Sequence, residues 1–258
     1  MIVHLLWTTD ERLVLATLLV LFVGAAWVGA SLARRERGPV SHIGTDQAGL
    51  LGLLALLLGF SFAMAQGRYD HRLRLVMEEA NAIGTAYLRA QMLPAVEAQE
   101  VAEALRRYVD LRLTRLGGPM NGPAFRQALQ ETARLHDYLW ARAVTATRKD
   151  PGLSVSLFVT ALNEVIDVHG ERLAAARNHV PGSVLLLLCL VGTMALAVTG
   201  YAARLDGYPG WWPTITTATR TAVVIVVILD LDRPRQGLIT VSQQSMIDLR
   251  DSLTPPKP

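Results

Sequence analysis

The sequence predicts an all-α integral membrane protein: four transmembrane helices in two hairpins, with an extramembrane antiparallel helical bundle between helices 2 and 3. Three observations carry this. Of the 258 residues 51% are hydrophobic and only 18% are charged, against about 25% charged in ordinary soluble domains. The apolar residues lie in blocks, and residues 13–32, 48–66 and 180–203 contain no charged side chain. Some 20 helical residues at ~1.5 Å each match a hydrocarbon layer of ~30 Å. Between the second and third blocks the chain turns polar, with apolar residues recurring at helical spacing.

Residues 13–32 form the first span. They follow Asp10, Glu11 and Arg12 rather than a basic segment, and the run exceeds the ~7–15 apolar residues of a secretory signal. It is therefore read as a retained anchor, although Ser31-Leu32-Ala33 resembles a cleavage site. A loop with Arg34, Arg35, Arg37 and the turn pair Gly38-Pro39 leads to the second span, 48–66. Between this span and the helical pattern that begins at Tyr69, Gly67 is the only strong breaker. One long helix is therefore expected to run out of the bilayer through residues 69–93 and to stop at Pro94. A second polar helix covers 95–116 and ends at Gly117-Gly118-Pro119. A third covers 123–148 and turns at Asp150-Pro151-Gly152, and a fourth covers 154–178. Amphipathic helices joined by short turns predict the antiparallel bundle.

Residues 180–203 re-enter the bilayer. Tyr201, Tyr208, Trp211 and Trp212 surround the next turn (Asp206, Gly207, Pro209, Gly210) as an interfacial aromatic belt would. The fourth span ends near Asp230. The chain is thus divided as 1–12, an N-terminal segment; 13–66, the first hairpin; 67–179, the bundle; 180–231, the second hairpin; and 232–258, a C-terminal tail expected to be disordered beyond Leu253. The two short loops fall on one side of the membrane, and the bundle with both termini on the other. Counting arginines near the spans places the bundle side in the cytoplasm of a bacterial inner membrane.

Composition excludes several functions. The isoelectric point near 9.3 rests on arginine, since Lys149 and Lys257 are the only lysines. Acids interleave with these arginines, so no one-sided basic stripe for nucleic acid forms. The lone Cys189 excludes an internal disulfide. No P-loop, GxSxG, HExxH or CxxC motif is present, so no enzyme activity, cofactor or metal is expected. Glu164, Asp167 and His169, with Glu78 or Glu79, could be assembled into a metal set. Structural contacts inside the bundle are the preferred reading, because the ExxH pattern of di-iron bundles is missing. His42, His71, His136 and His179 look isolated.

Two features of the spans invite a functional reading. Ala48, Gly52, Ala55, Gly59, Ala63 and Gln66 share one face of the second span, and small residues let helix backbones approach closely in lipid. This seam either packs on the first or third span, or lines a narrow pore around an oligomer axis with Phe60, Ser61 and Phe62 near the constriction. In the fourth span Arg220 sits among Thr214, Thr216, Thr217, Thr219 and Thr221, about 12 Å in from Trp212. An intramembrane arginine marks a site by default, unless it snorkels back to the headgroups. Gly52, Ala55, Gly59, Phe60, Phe62, Ala63, Gln66 and Arg220 are the pore-lining candidates.

Three stretches resemble the bestrophin-like family of bacterial membrane proteins. They are Leu58-Gly-Phe-Ser-Phe-Ala-Met-Ala, running into Glu78-Glu-Ala-Asn-Ala-Ile-Gly-Thr-Ala-Tyr87; Leu162-Asn-Glu-Val-Ile-Asp-Val-His169; and Leu229-Asp-Leu-Asp-Arg-Pro234, followed by Gly237. The resemblance extends over residues 49–249. Within these stretches Glu79, Asn81, Asn163, Asp167, His169, Asp230, Asp232 and Arg233 are read as structural polar contacts. Asp230 and Asp232 are expected to pair with Arg68, Arg72 or Arg177. The resemblance implies a homo-oligomeric channel for small inorganic anions, with helix 2 lining the pore and a helical cytoplasmic vestibule. No acidic cluster like the calcium site of the animal channels is evident. The alternative is a non-conducting membrane scaffold or signalling protein whose bundle binds a protein partner.

Overall fold

The computed structural model describes residues 10–34, 42–114, 122–206, 211–233 and 237–254. Of the residues singled out in the sequence, Arg35, Arg37, Gly38, Pro39, Leu116 to Pro119, Gly207 to Gly210, Pro234, Arg235 and the last four lie outside them. The described residues form eight helices: α1 (Glu11–Ala33), α2 (Ile43–Ala90), α3 (Ala95–Thr114), α4 (Pro123–Lys149), α5 (Leu153–Arg177), α6 (Gly182–Leu205), α7 (Trp212–Asp232) and α8 (Gln244–Leu253). The protein is all-α, and four helical stretches, those containing α1, α2, α6 and α7, are long and apolar enough to cross a membrane.

Local sequence sets these boundaries. The Asp10 carboxylate accepts the Arg12 N–H at 2.8 Å and caps α1. Pro123 occupies the first turn of α4 and Pro213 that of α7, where a missing N–H costs nothing. Pro94 and Pro181 stand in the breaks before α3 and α6. Gly67 does not interrupt α2, which is continuous over 48 residues.

The chain divides into two compact units, to both of which α2 contributes. In the membrane unit (residues 10–68, 179–233 and 237–239) α1 buries Val14, Leu18, Phe22, Ala26, Gly29, Ala30 and Ala33 along one face. The backbones of α1 and α6 approach each other closely. A Cβ built on Gly29 would overlap the Ala197 carbonyl, and one on Gly200 would overlap the Ala26 carbonyl. Leu54 of α2 packs with Val191 and Ala195 of α6. The Gln47 amide lies 3.4 Å from the Thr199 hydroxyl.

In the bundle unit (residues 69–178 and 240–254) one core joins α2, α3, α4, α5 and α8 through Ile83, Leu105, Tyr108, Leu139, Phe158 and Met246. Arg72 closes the end of α5, donating to the carbonyls of Ala175 at 3.2 Å and Asn178 at 2.8 Å. The segment read from sequence as a tail therefore contributes a helix to this core: Met246 and Leu253 are buried in it.

Candidate functional site

The seam of α2 points away from the rest of its own chain. Ala48, Gly52, Ala55, Gly59 and Ala63 are all exposed and Gln66 is half-buried. A Cβ built on Gly52 or Gly59 would meet nothing within 4 Å. The opposite face, with Leu54, Ser61 and Ala65, is the buried one. Packing of the seam on the first or third span is thus excluded within the subunit. The small residues that allow close approach there belong to α1 and α6, and α2 leans on α6 through leucines.

Phe60 is 64% and Phe62 41% exposed. At about 100° per residue the two rings project roughly 200° apart around the helix axis. Phe62 flanks the seam on one side. Phe60 stands beyond its other edge, in line with exposed Leu53. The two phenylalanines therefore do not form a single ring of side chains. Arg220 is exposed on α7, and its guanidinium lies 3.5 Å from the Thr217 hydroxyl.

The bundle unit holds a buried charged network that the sequence reading resolves only in part. Glu79 is completely buried. Its Oε1 accepts the Tyr108 hydroxyl at 2.7 Å. Its Oε2 accepts Arg112 through Nε at 3.2 Å and Nη2 at 2.9 Å, and also Arg172 Nη1. His169 Nδ1 stands 3.9 Å from Oε1, and Arg172 Nη2 donates to Gln243 Oε1 at 3.2 Å. Burial pushes the Glu79 carboxyl upward. The Arg112 guanidinium, the His169 contact and the Arg172 guanidinium outweigh it and hold the group well below the usual carboxylate range. Burial, reinforced by the Glu79 charge, raises the Tyr108 phenol well above 10.0.

The His136 ring lies 5.1 Å from both Tyr108 and His169, so three rings cluster beside the carboxylate. Burial, then the neighbouring His169, lowers the His136 imidazole to about 4. His136 and His179 are not isolated: His179 Nδ1 lies 3.3 Å from Asp232.

The remaining polar residues are dispersed. Asn163 donates to Asp167 at 2.8 Å on the exposed side of α5, and Asn81 is exposed on α2. Neither Asn163 nor Asp167 joins His169. Asp230 accepts the backbone N–H of Leu238 at 3.0 Å and of Ile239 at 2.8 Å. Asp232 accepts that of Val180 at 2.8 Å, and Arg233 lies 3.8 Å from Glu11. These carboxylates fix chain reversals at the end of α7. The turn requires Gly237, whose φ is +122° and whose Cβ, if present, would overlap Asp230. Among the described residues no group of three His, Cys, Asp or Glu side chains is arranged to hold a metal ion.

The family model for the bestrophin-like domain matches residues 12–246. The chain belongs to the bestrophin-like family. The fold agrees: a structure of a point mutant of a bacterial bestrophin homologue from Klebsiella pneumoniae superposes with a TM-score of 0.70 at 14% identity, covering 95% of this chain and 98% of that one. A structure of a bestrophin homologue from the same organism, phased on zinc, gives 0.69 at 14% identity and coverages of 95% and 97%. No curated protein is significantly similar by sequence. This bestrophin-like chain is a multi-pass integral membrane protein with four apolar helices. Tyr108, Arg112, Arg172 and Gln243 escaped the sequence reading because each resembles an ordinary polar helix residue. The signal that could have exposed them is the double acid Glu78-Glu79, of which one member lies on the apolar stripe of α2.

Proposed function

We propose that the protein is a homo-oligomeric, anion-selective channel of the bacterial inner membrane, with α2 lining the pore and the bundle forming a cytoplasmic vestibule. The observation that carries this is the outward seam. A regular stripe of glycine and alanine on a membrane helix gains little by facing lipid, yet leaves room for a narrow passage where several copies surround an axis. The stretch 48–66 carries no charge, so a passage bordered by it would discriminate by dehydration at an apolar neck rather than by a ring of carboxylates. Phe62, flanking the seam, is the side chain assigned to that neck.

The test is anion flux from liposomes containing the full chain, with oligomer size measured in parallel. Gly59→Leu should assemble normally and conduct less, and Phe62→Ala should conduct more. Phe60→Ala, on the other flank, should change flux less than Phe62→Ala. Loss of the oligomer with Leu at 59 assigns the seam to subunit packing. Intact oligomers with no flux would replace the channel by the scaffold reading.

A further inference from the structure

We propose that Arg220, with the hydroxyl of Thr219, forms an oxyanion-binding site for a phosphate-type group on the outward face of α7. The site does not depend on whether the protein conducts. Trp212, Thr216, Thr219, Arg220 and Val223 share one face of the helix by the 3.6-residue period. All are exposed except Thr216, which is half-buried, whereas Thr214, Ala218, Thr221, Ala222 and Ile225 bury the other face. Arg220 is thus a cation on the outside of a membrane-spanning helix, eight residues from Trp212 or about 12 Å along the axis.

Its own subunit leaves it largely unsatisfied. The guanidinium carries five N–H donors, and among the described residues one weak contact uses them, Nη2 to Thr217 Oγ1 at 3.5 Å. No carboxylate among the described residues pairs with it. The hydroxyls of Thr216, Thr217 and Thr221 are committed to the carbonyls of Trp212, Pro213 and Thr217 at 2.8 to 2.9 Å. The Thr219 hydroxyl, adjacent in sequence, has no partner among the described residues and remains available to donate. An unpaired guanidinium with a free hydroxyl beside it, on the outer face of a membrane helix, suits an anionic partner from outside the subunit. A planar fork matches two phosphate oxygens better than it matches a halide. Helical side chains lean toward the N-terminal end, here the end marked by Trp211 and by Trp212, which is 77% exposed. The head group therefore reaches toward the level of lipid phosphates.

The phosphate can belong to a lipid headgroup or be a free ion, and one titration separates them. The full chain in a phosphate-free sugar detergent is titrated with short-chain phosphatidylglycerol, and separately with inorganic phosphate, while its thermal midpoint is followed. The wild type should show a saturable rise. Arg220→Gln should weaken the apparent affinity about tenfold, the loss of one charge-assisted pair. Arg220→Lys should recover part of it, and Arg12→Gln, at the other end of the membrane unit's first helix, should leave it unchanged. A rise with phosphatidylglycerol alone identifies the lipid, and a rise with both ligands identifies a free-anion site. Equal affinity of wild type and Arg220→Gln for both ligands, or an equal loss in Arg12→Gln, overturns the proposal. Should Arg220→Gln not fold, Thr219→Val retains the charge and should weaken binding by a smaller factor; unchanged binding in both Thr219→Val and Arg220→Lys likewise overturns it.

Discussion

The Tyr108 hydroxyl donates to Glu79 Oε1 at 2.7 Å with both side chains fully buried, and the other carboxylate oxygen is shared by Arg112 and Arg172. One negative charge thus compensates two guanidinium groups, the buried Arg112 of α3 and the partly buried Arg172 of α5. Neutralising it leaves those two cations facing each other without a counterion. Glu79→Gln should destabilise the protein by about 3–5 kcal/mol. Tyr108→Phe, which removes one neutral donor and leaves the ion pairs, should cost about 1–2 kcal/mol. Thermal unfolding of the detergent-solubilised chain measures both. Equal losses would mean that the arginines contribute nothing to this centre.

The same centre predicts how stability responds to acid. The His136 imidazole is lowered from 6.5 to about 4. Between those two values the unfolded chain binds a proton that the folded chain does not, so stability falls as pH drops from 6.5 toward 4. Glu79 acts in the same direction but at lower pH. Its depressed carboxyl contributes stability fully above its ordinary 4.5 and loses it only at lower pH. It is therefore silent over most of the histidine window. Melting points at pH 7 and pH 5 should differ in the wild type, and His136→Gln should reduce that difference. An unaltered difference in the variant assigns the acid sensitivity to other groups.

Glycines on different membrane helices should respond in opposite ways to the same added methyl. At Gly200 a Cβ overlaps the Ala26 backbone, which cannot move aside as a flexible side chain would. Gly200→Ala should cost at least ~1–3 kcal/mol through overpacking. At Gly59 the space is open, so Gly59→Ala should leave subunit stability within about 0.5 kcal/mol. Expression yield and melting temperature of the two variants read this directly.

Gly237 is under two constraints at once. Its φ of +122° lies where L side chains are rarely found, and its Cα faces the Asp230 carboxylate. Gly237→Ala should destabilise the turn by about 1–3 kcal/mol. Asp230→Ala should destabilise it by a similar amount, by releasing the Leu238 and Ile239 amides. The double variant should cost less than the sum, because removing the carboxylate relieves the tighter of two clashes, leaving that with Glu11 Oε1 at 2.5 Å. Strict additivity would show that the two residues act independently.

The membrane helices are legible in the sequence because hydrophobic length is a local property: each uncharged block carries its own evidence. Continuity of α2 through Gly67 is legible for a similar reason, since one glycine costs only about 1 kcal/mol in a helix interior. What escaped depends on distant partners. Glu79 is legible as a polar contact, but its partner Arg172 lies 93 positions away and alone resembles a solvated helix charge. Helix α8 has few apolar residues, and buries Met246 and Leu253 only because a slot exists for them. The seam of α2 was recognisable as a stripe but not as an outward one. Small residues serve close approach whether the neighbour lies inside the subunit or beyond it. Ala26, Gly29 and Gly200, which mediate the approach inside, follow a less regular spacing.

Helix α8 also sets an order of events during synthesis. It emerges from the ribosome after α7, yet Met246 and Leu253 complete a core otherwise built from α2 to α5. Those earlier helices leave the ribosome with one wall of their core missing. They must wait for the last membrane helix to pass before that wall arrives. Nascent chains that stall within α7 would carry an open apolar slot, a feature that chaperones and proteases recognise. Maturation of the bundle is thereby tied to synthesis of the four apolar helices, with α8 acting as a latch that closes only after translation has passed Leu253.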